Sequence, residues 1–384
     1  MNINLLVRLI GSASLISTVI SVVASGATVS TGGQRIAIDP KVASLVKQAS
    51  SALKGKQHDL AISCLTAALQ MKPEKNTASA IYTWRADAFI QKGELNKAMD
   101  DANESIRLNP HFSGGYLERG IVYRRTGNLD KSISDYDTVI RLNPNSALAY
   151  YDRAIAYGYK GEYERSIRDS TEAIRRNPKD ADLYVNRAGD YELIGNFDKA
   201  IADYTEAVRL NPTDPAAYSG RGYVNVQAGN LNRASADYDQ ATRCIPKDAS
   251  GYVFRGKAYF AKGNHKAAAS DFAKATQLSS NDDQVLNSLS WFKATCPEAS
   301  FRNGKEAVQE AIKACELTNW KNPHGLDTLA AAYAEIGDFD QAEKYQTEAL
   351  GRKGVYPFRR KKMQERLELY RQRKPYRDES KLTR

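Results

Sequence analysis

An all-α solenoid of stacked antiparallel helix pairs is the fold class this sequence predicts, on three observations. Asn-Pro pairs recur every 34 residues, at Asn109-Pro110, Asn143-Pro144, Asn177-Pro178 and Asn211-Pro212, with Pro246 one step further. Glycines keep the same step at Gly93, Gly127, Gly161, Gly195, Gly229 and Gly263. The chain carries only 12 Pro and is rich in Ala, Leu, Arg, Asp and Tyr, which suits helices better than sheets. A repeat of this length holds one helical hairpin. One hairpin cannot bury its apolar faces alone, so neighbours must stack.

Residues 1–27 come first. Arg8 precedes an apolar run from Leu9 to Ala24, followed by small residues, which is the order of a secretory signal. The expectation is an exported (periplasmic or secreted) chain after cleavage. The alternative is a retained membrane anchor, for which about 16 apolar residues are few against the roughly 20 of a spanning helix. Residues 28–41, with Gly32 and Gly33, read as a flexible linker.

The array occupies 42–356. A first hairpin runs from Val42 to Lys75, with Ala49, Ala61, Leu65, Ala68 and Pro73 in register. Six regular repeats then fill 79–282, with position 1 on Ser79, Ser113, Ala147, Ala181, Pro215 and Ala249. Position 4 is always Tyr (Tyr82, Tyr116, Tyr150, Tyr184, Tyr218, Tyr252), and position 8 is always Ala or Gly. Gly at position 15 closes the first helix and Pro at position 32 ends the second. Small residues at positions 8 and 20 let the two axes approach. Segment 283–322 is stretched around Cys296-Pro297 and Arg302-Asn303-Gly304, and 323–356 restores the frame with Ala330, Tyr333, Gly337, Ala342 and Ala349. Residues 357–384 place Met363, Leu367 and Tyr370 at helical spacing beneath a basic face, as a capping helix and tail would.

These positions resemble the tetratricopeptide repeat (TPR). That resemblance implies a right-handed superhelical solenoid of about eight hairpins plus a C-terminal capping helix. The segments LSWFKATCPEASFRNGKEAVQEAIKACELTNWKNP, LDTLAAAYAEIGDFDQAEKYQTEAL and RLELYRQRKPYR look like the closing module of certain bacterial repeat proteins. The likeness implies an accessory binding array and names no ligand. The Lys/Asn/Arg clamp of chaperone-binding members is not found.

Two charged series repeat in lockstep. Arg stands at position 7 (Arg85, Arg119, Arg153, Arg187, Arg221, Arg255) and Asp at position 23 (Asp101, Asp135, Asp169, Asp203, Asp237, Asp271). They read as a structural ion-pair ladder, with a polyanion surface as the alternative. The concave face should be lined by positions 2, 5, 6, 9, 12 and 13 of each first helix. Those positions nominate Trp84, Asp87, Gln91, Glu118, Arg124, Tyr151, Asp152, Tyr159, Asn186, Glu192, Tyr223, Gln227, Phe254 and Lys257 as a peptide-binding groove. Cys296 and Cys315, 19 apart, could bridge the stretched hairpin in an exported chain or stay as two buried thiols.

The net charge is +10, but the 13 Lys and Arg against four acids from Arg352 onward carry +9 of it. The near-neutral body therefore gives no ground for nucleic-acid binding, and only the basic tail or the N-terminus suggests a membrane. Four scattered Cys and four scattered His suggest no metal site, and no phosphate-binding loop, nucleophile elbow or HExxH motif is present. No catalytic residue, metal or cofactor is expected. The sequence points to a protein or peptide partner held by a non-enzymatic scaffold, or alternatively to an anionic surface, membrane or nucleic acid, contacted by the basic tail.

Overall fold

Each 34-residue step folds as a helix pair because its own residues start and stop both helices. The computed structural model describes residues 29–31, 34–36, 39–352 and 357–379. Ser146, Asp180, Asp214, Asp248 and Asp282, one step apart, stand just before a first helix and accept a backbone N–H there. At the far end Gly161 takes φ 77°, where a side chain would be strained. The amides of Gly161 and Glu162 close onto the carbonyls of Gly158 and Tyr157, each at 3.0 Å.

The chain divides into two units at Leu210 and Asn211. The first holds α1 (Pro40–Lys54) with α2 (His58–Gln70), α3 (Lys75–Lys92) with α4 (Leu95–Leu108), and α5 (Ser113–Arg125) with α6 (Leu129–Leu142). It continues with α7 (Ala147–Lys160) and α8 (Tyr163–Arg176), then α9 (Ala181–Leu193) and α10 (Phe197–Leu210). The second holds α11 (Pro215–Gln227) with α12 (Leu231–Cys244) and α13 (Ala249–Ala261) with α14 (His265–Leu278). After them come α15 (Asp283–Thr295) with α16 (Gly304–Leu317), α17 (Pro323–Glu335) with α18 (Phe339–Gly351), and a lone α19 (Pro357–Arg371). The described residues thus form nine pairs and a closing helix, because the stretched segment is itself a full pair.

Packing within a pair follows a compensation between two repeat positions. Position 20 is buried without remainder in all six regular repeats, from Ala98 and Ser132 to Ala268. Position 8 adapts to position 24 across from it. Gly120, Gly222 and Gly256 face Tyr136, Tyr238 and Phe272, and a Cβ on Gly120 would meet the Tyr136 ring at 2.7 Å. Ala86 and Ala154 occupy position 8 where position 24 is the small Ala102 or Ser170. Ala188 opposite Tyr204 is the exception, and there the Tyr204 hydroxyl reaches Glu192 at 3.4 Å.

The segment read as a linker, 28–41, holds two short strands among its described residues. β1 (Val29–Thr31) pairs antiparallel with β2 (Gln34–Ile36), Val29 opposite Ile36. The β-branched residues on either side of Gly32-Gly33 are the reason. The first helix begins at Pro40, not at Val42, because Asp39 accepts the Lys41 amide at 2.8 Å and proline suits the first turn. The expected signal or anchor, 1–27, lies outside the described residues, among which no helix is long and apolar enough to cross a membrane.

The residues inserted in the stretched pair form one turn of 3-10 helix, Ala299–Phe301. Arg302 ties that loop down, donating to the Cys296 and Pro297 carbonyls and pairing with Glu335 at 2.9 Å. At the end of the array, α19 lays Met363 against Leu326 and Leu329 and Tyr370 against Ala330 and Ala342. It covers the apolar edge that the last pair would otherwise leave to water.

Candidate interaction surface

All six Arg–Asp rungs are formed. The closest contacts run from 2.7 Å for Arg85–Asp101, Arg153–Asp169 and Arg221–Asp237 to 2.8 Å for the Arg119, Arg187 and Arg255 pairs. Each guanidinium engages both carboxylate oxygens. The third donor does something the sequence reading missed. Nη1 of Arg119, Arg153, Arg187 and Arg255 reaches back to Asn103, Asp137, Thr171 and Asp239, at position 25 of the preceding repeat. One side chain therefore joins three helices. Each of these Arg also lies over the Tyr at position 4, as Arg85 does over Tyr82 at 5.4 Å.

Both halves of the Arg85–Asp101 rung shift upward, for different reasons. Hydrogen bonds to Asp101 raise the Arg85 pKa, against the opposing effect of burial. Burial raises Asp101 despite the pull of Arg85. The pair is intact, and its carboxylate bears the cost of leaving water. Each of the six Arg is thus paired with its Asp.

The groove candidates divide. Glu118, Tyr151 and Asp152 are buried, Asp152 to 1% exposure, and so are corrected from ligand-facing to packing residues. Asp152 pairs with Arg124 at 3.0 Å across neighbouring first helices. Tyr151 packs against Ala173 and Leu183. The physical reason is that position 6 turns toward the preceding pair, while Tyr151 at position 5 packs toward Leu183 of the next. There Trp84 joins the core of the first pairs, Asn186 donates to Ser170 at 3.0 Å, and Phe254 stacks on Tyr238 at 5.8 Å. Gln91 and Asp87 are half-buried and bonded to each other at 2.9 Å, and Glu192 is held by Tyr204.

Positions 9 and 13 carry what faces water. Tyr159 in the first unit is 69% exposed. In the second unit Tyr223, Gln227 and Lys257 are exposed. Lys257 is solvent-accessible yet enclosed by protein. That enclosure, with Arg359 adding repulsion, pushes its ammonium down to about 8. Burial, then Arg359, likewise lowers His324, whose Nδ1 lies 3.5 Å from an Arg359 nitrogen. Four of the tail's arginines have carboxylate partners: Arg366 has Asp327 at 2.7 Å, Arg371 has Glu368 at 2.7 Å, Arg373 has Asp340 at 2.9 Å and Arg377 has Glu335 at 2.6 Å.

A buried carboxylate also escaped the sequence reading. Position 10 is Ala or Val in five regular repeats (Ala88, Val122, Ala156, Val224, Ala258) and Asp190 in the other, buried like them. Its Oδ2 lies 2.5 Å from Ser166 Oγ, which also donates to the Ala154 carbonyl at 2.8 Å. Burial pushes Asp190 up to about 6. The single Ser166 proton cannot serve both acceptors. A protonated Asp190 that donates to Ser166 completes the chain, which favours the neutral acid.

All four cysteines are free thiols. Cys296 sits with Phe260, Phe272 and Phe292, whereas Cys315 sits with Leu326, Leu329 and Met363. The bridge considered between them is not formed, because the two side chains enter different core clusters. Among the described residues no group of three or more His, Cys, Asp and Glu is placed to hold a metal ion.

Family models for the TPR repeat and the tetratricopeptide repeat match residues 120–161 and 191–229, 46–111 and 219–283, and 147–180 and 324–355. The chain is similar to the crystal structure of PilW, described as a widely conserved type IV pilus biogenesis factor. The identity is 18% and the TM-score 0.51, over 54% of this chain and 96% of that one. It is also similar to pilF of Pseudomonas aeruginosa, at 13% identity and TM-score 0.50, over 55% and 96%. A tetratricopeptide repeat protein from Parabacteroides merdae is 22% identical, with TM-score 0.49, over 65% and 98%. The likeness to PilW and pilF is one of fold. The comparison with curated proteins finds no match.

Proposed function

The chain belongs to the tetratricopeptide-repeat family, and from that premise we propose that it is a non-enzymatic scaffold holding an extended peptide or protein segment on its first-helix face. One observation carries the proposal. Most of the distinctive repeated residues are engaged in packing, whereas in the second unit Tyr223, Gln227 and Lys257 are exposed at the ligand-facing positions 9 and 13. An aromatic ring beside polar groups supplies contact area and orientation together. The basic tail is the weaker route to a partner, since Arg366, Arg371, Arg373 and Arg377 already have carboxylate partners.

The test is selection from a displayed random-peptide library, followed by affinity measurement on the full chain. Tyr223→Ala is expected to weaken the selected peptides at least about tenfold, as loss of a central aromatic anchor does, while thermal unfolding stays unchanged. Affinities that survive the substitution would overturn the proposal, as would a library that yields no binder.

A further inference from the structure

After α19 the chain does not leave the second unit. Lys374–Glu379 runs without helix or strand to the end of α15. The last four carbonyls of a helix have no partner inside it. Those of Phe292 and Lys293 are taken by the amides of Cys296 and Asn303. The returning segment takes the remaining two: Asp378 N donates to the Thr295 carbonyl at 2.9 Å and Arg377 Nη1 to that of Ala294 at 3.4 Å.

Side chains fix the same segment three more times. Asp378 Oδ2 accepts the indole N–H of Trp291 at 2.9 Å. The Tyr376 ring lies 5.9 Å from the Trp291 ring, and the Arg366 guanidinium stands 5.2 Å from one and 5.3 Å from the other. Arg377 pairs with Glu335, already held by Arg302. Arg366 is buried and locked by Asp327, which Gln346 also holds at 2.8 Å. The receiving surface is thus built before the segment arrives.

Its location gives this arrangement meaning. Counting from Asp283 and Pro323, Trp291 and Thr295 are positions 9 and 13, and Asp327 and Glu335 are positions 5 and 13. Positions 9 and 13 are the ones that expose Tyr223, Lys257 and Gln227 earlier in the same unit. The core of the last pair is covered by Met363, Leu367 and Tyr370 of α19, with Tyr376 of the segment packed at its edge. The segment's remaining contacts are half-exposed and polar, individually weak and therefore exchangeable.

We propose that Trp291, Arg366, Glu335 and the end of α15 form a recognition cradle for an extended aromatic–basic–acidic segment. The chain's own Tyr376-Arg377-Asp378 fills it, and a partner segment of that chemistry docks by displacing it. The inference rests on the reading of this face as the ligand face, and it names the ligand chemistry and the gate at one end. Because the tethered segment competes at high effective concentration, a free segment binds the intact chain much more weakly than a chain whose own segment is released.

The probe is a fluorescein-labelled peptide with the sequence of residues 372–379, titrated by anisotropy into the full chain and into the Tyr376→Ala/Asp378→Ala variant. The variant is expected to bind it at least tenfold more tightly than the unaltered chain does, and adding Trp291→Phe should remove that gain. Equal affinity for both chains, or no binding to a variant with unchanged helicity and melting, overturns the cradle. Should the variant fail to fold, hydrogen exchange on the unaltered chain decides. Excess peptide must lower the protection of the Asp378 amide, and unchanged protection overturns the inference. Failure of this peptide while Tyr223→Ala still weakens ligand binding refutes the cradle alone. Peptide binding to the released chain with that substitution silent refutes the wider reading of the face.

Discussion

Replacing Asp190 by Val, the residue found at the same repeat position in Val122 and Val224, should stabilise the first unit, and more so as the pH rises. In the fold Asp190 holds its proton up to about pH 6, whereas its ordinary value is 3.8. The folded state thus binds the proton more tightly than the unfolded chain. The ionised group costs nothing below the unfolded value, and the cost grows until the pH passes the folded value. At about 1.4 kcal/mol for each pH unit between the two values, the penalty at pH 7.5 is about 3 kcal/mol, and near pH 5 it is about 1.5 kcal/mol. Glu192, two residues on, is also raised by burial but is common to both proteins. The difference between variant and parent isolates Asp190. The assay is native-state hydrogen exchange of the α7–α9 amides at both pH values, which reads local stability in a repeat array that need not unfold as one body. A variant–parent difference that stays constant between pH 5 and 7.5, or a variant less stable than its parent at both, would refute the proton-sharing account of Asp190 and Ser166.

Two further outcomes follow from the packing. Arg153→Ala removes one guanidinium from Asp169, Asp137 and the Tyr150 ring. It leaves the buried Asp169 uncompensated, so urea unfolding should register a loss of about 3–5 kcal/mol, and Arg153→Lys, which lacks the planar fork, should recover only part of it. Gly120→Ala drives a methyl to 2.7 Å from the Tyr136 ring and should cost about 1–3 kcal/mol. The double change Gly120→Ala/Tyr136→Ala recreates the Ala86–Ala102 combination, so the two losses should be less than additive in a double-mutant cycle.

What could be read from the sequence is what repeats within one helix pair. The glycine that closes the first helix, the small position 20 and the charges 16 residues apart are local in register, and six copies make each visible. Position 6 was misjudged because its surroundings belong to the neighbouring pair. The burial of Asp152 depends on Arg124, a first helix earlier, and nothing in its own repeat announces that. Asp190 was legible in principle as the one acid in a column of Ala and Val. The Trp291–Asp378 contact joins residues 87 positions apart and occurs once, so no periodicity could reveal it. The hairpin at Val29–Ile36 lies outside the repeat and carried only short β-branched hints.

The backward reach of Arg119, Arg153, Arg187 and Arg255 bears on how such an array grows and shrinks in evolution. Asn103, Asp137, Thr171 and Asp239 differ in kind, yet each offers an oxygen to the next guanidinium. Duplicating or deleting a whole 34-residue block therefore gives such an arginine a new but equivalent neighbour, and copy number can drift at little cost. A recombination breakpoint inside a block would part Gly120 from Tyr136 or Arg119 from Asp135. The inheritable unit is the complete pair, and neither of its helices travels alone.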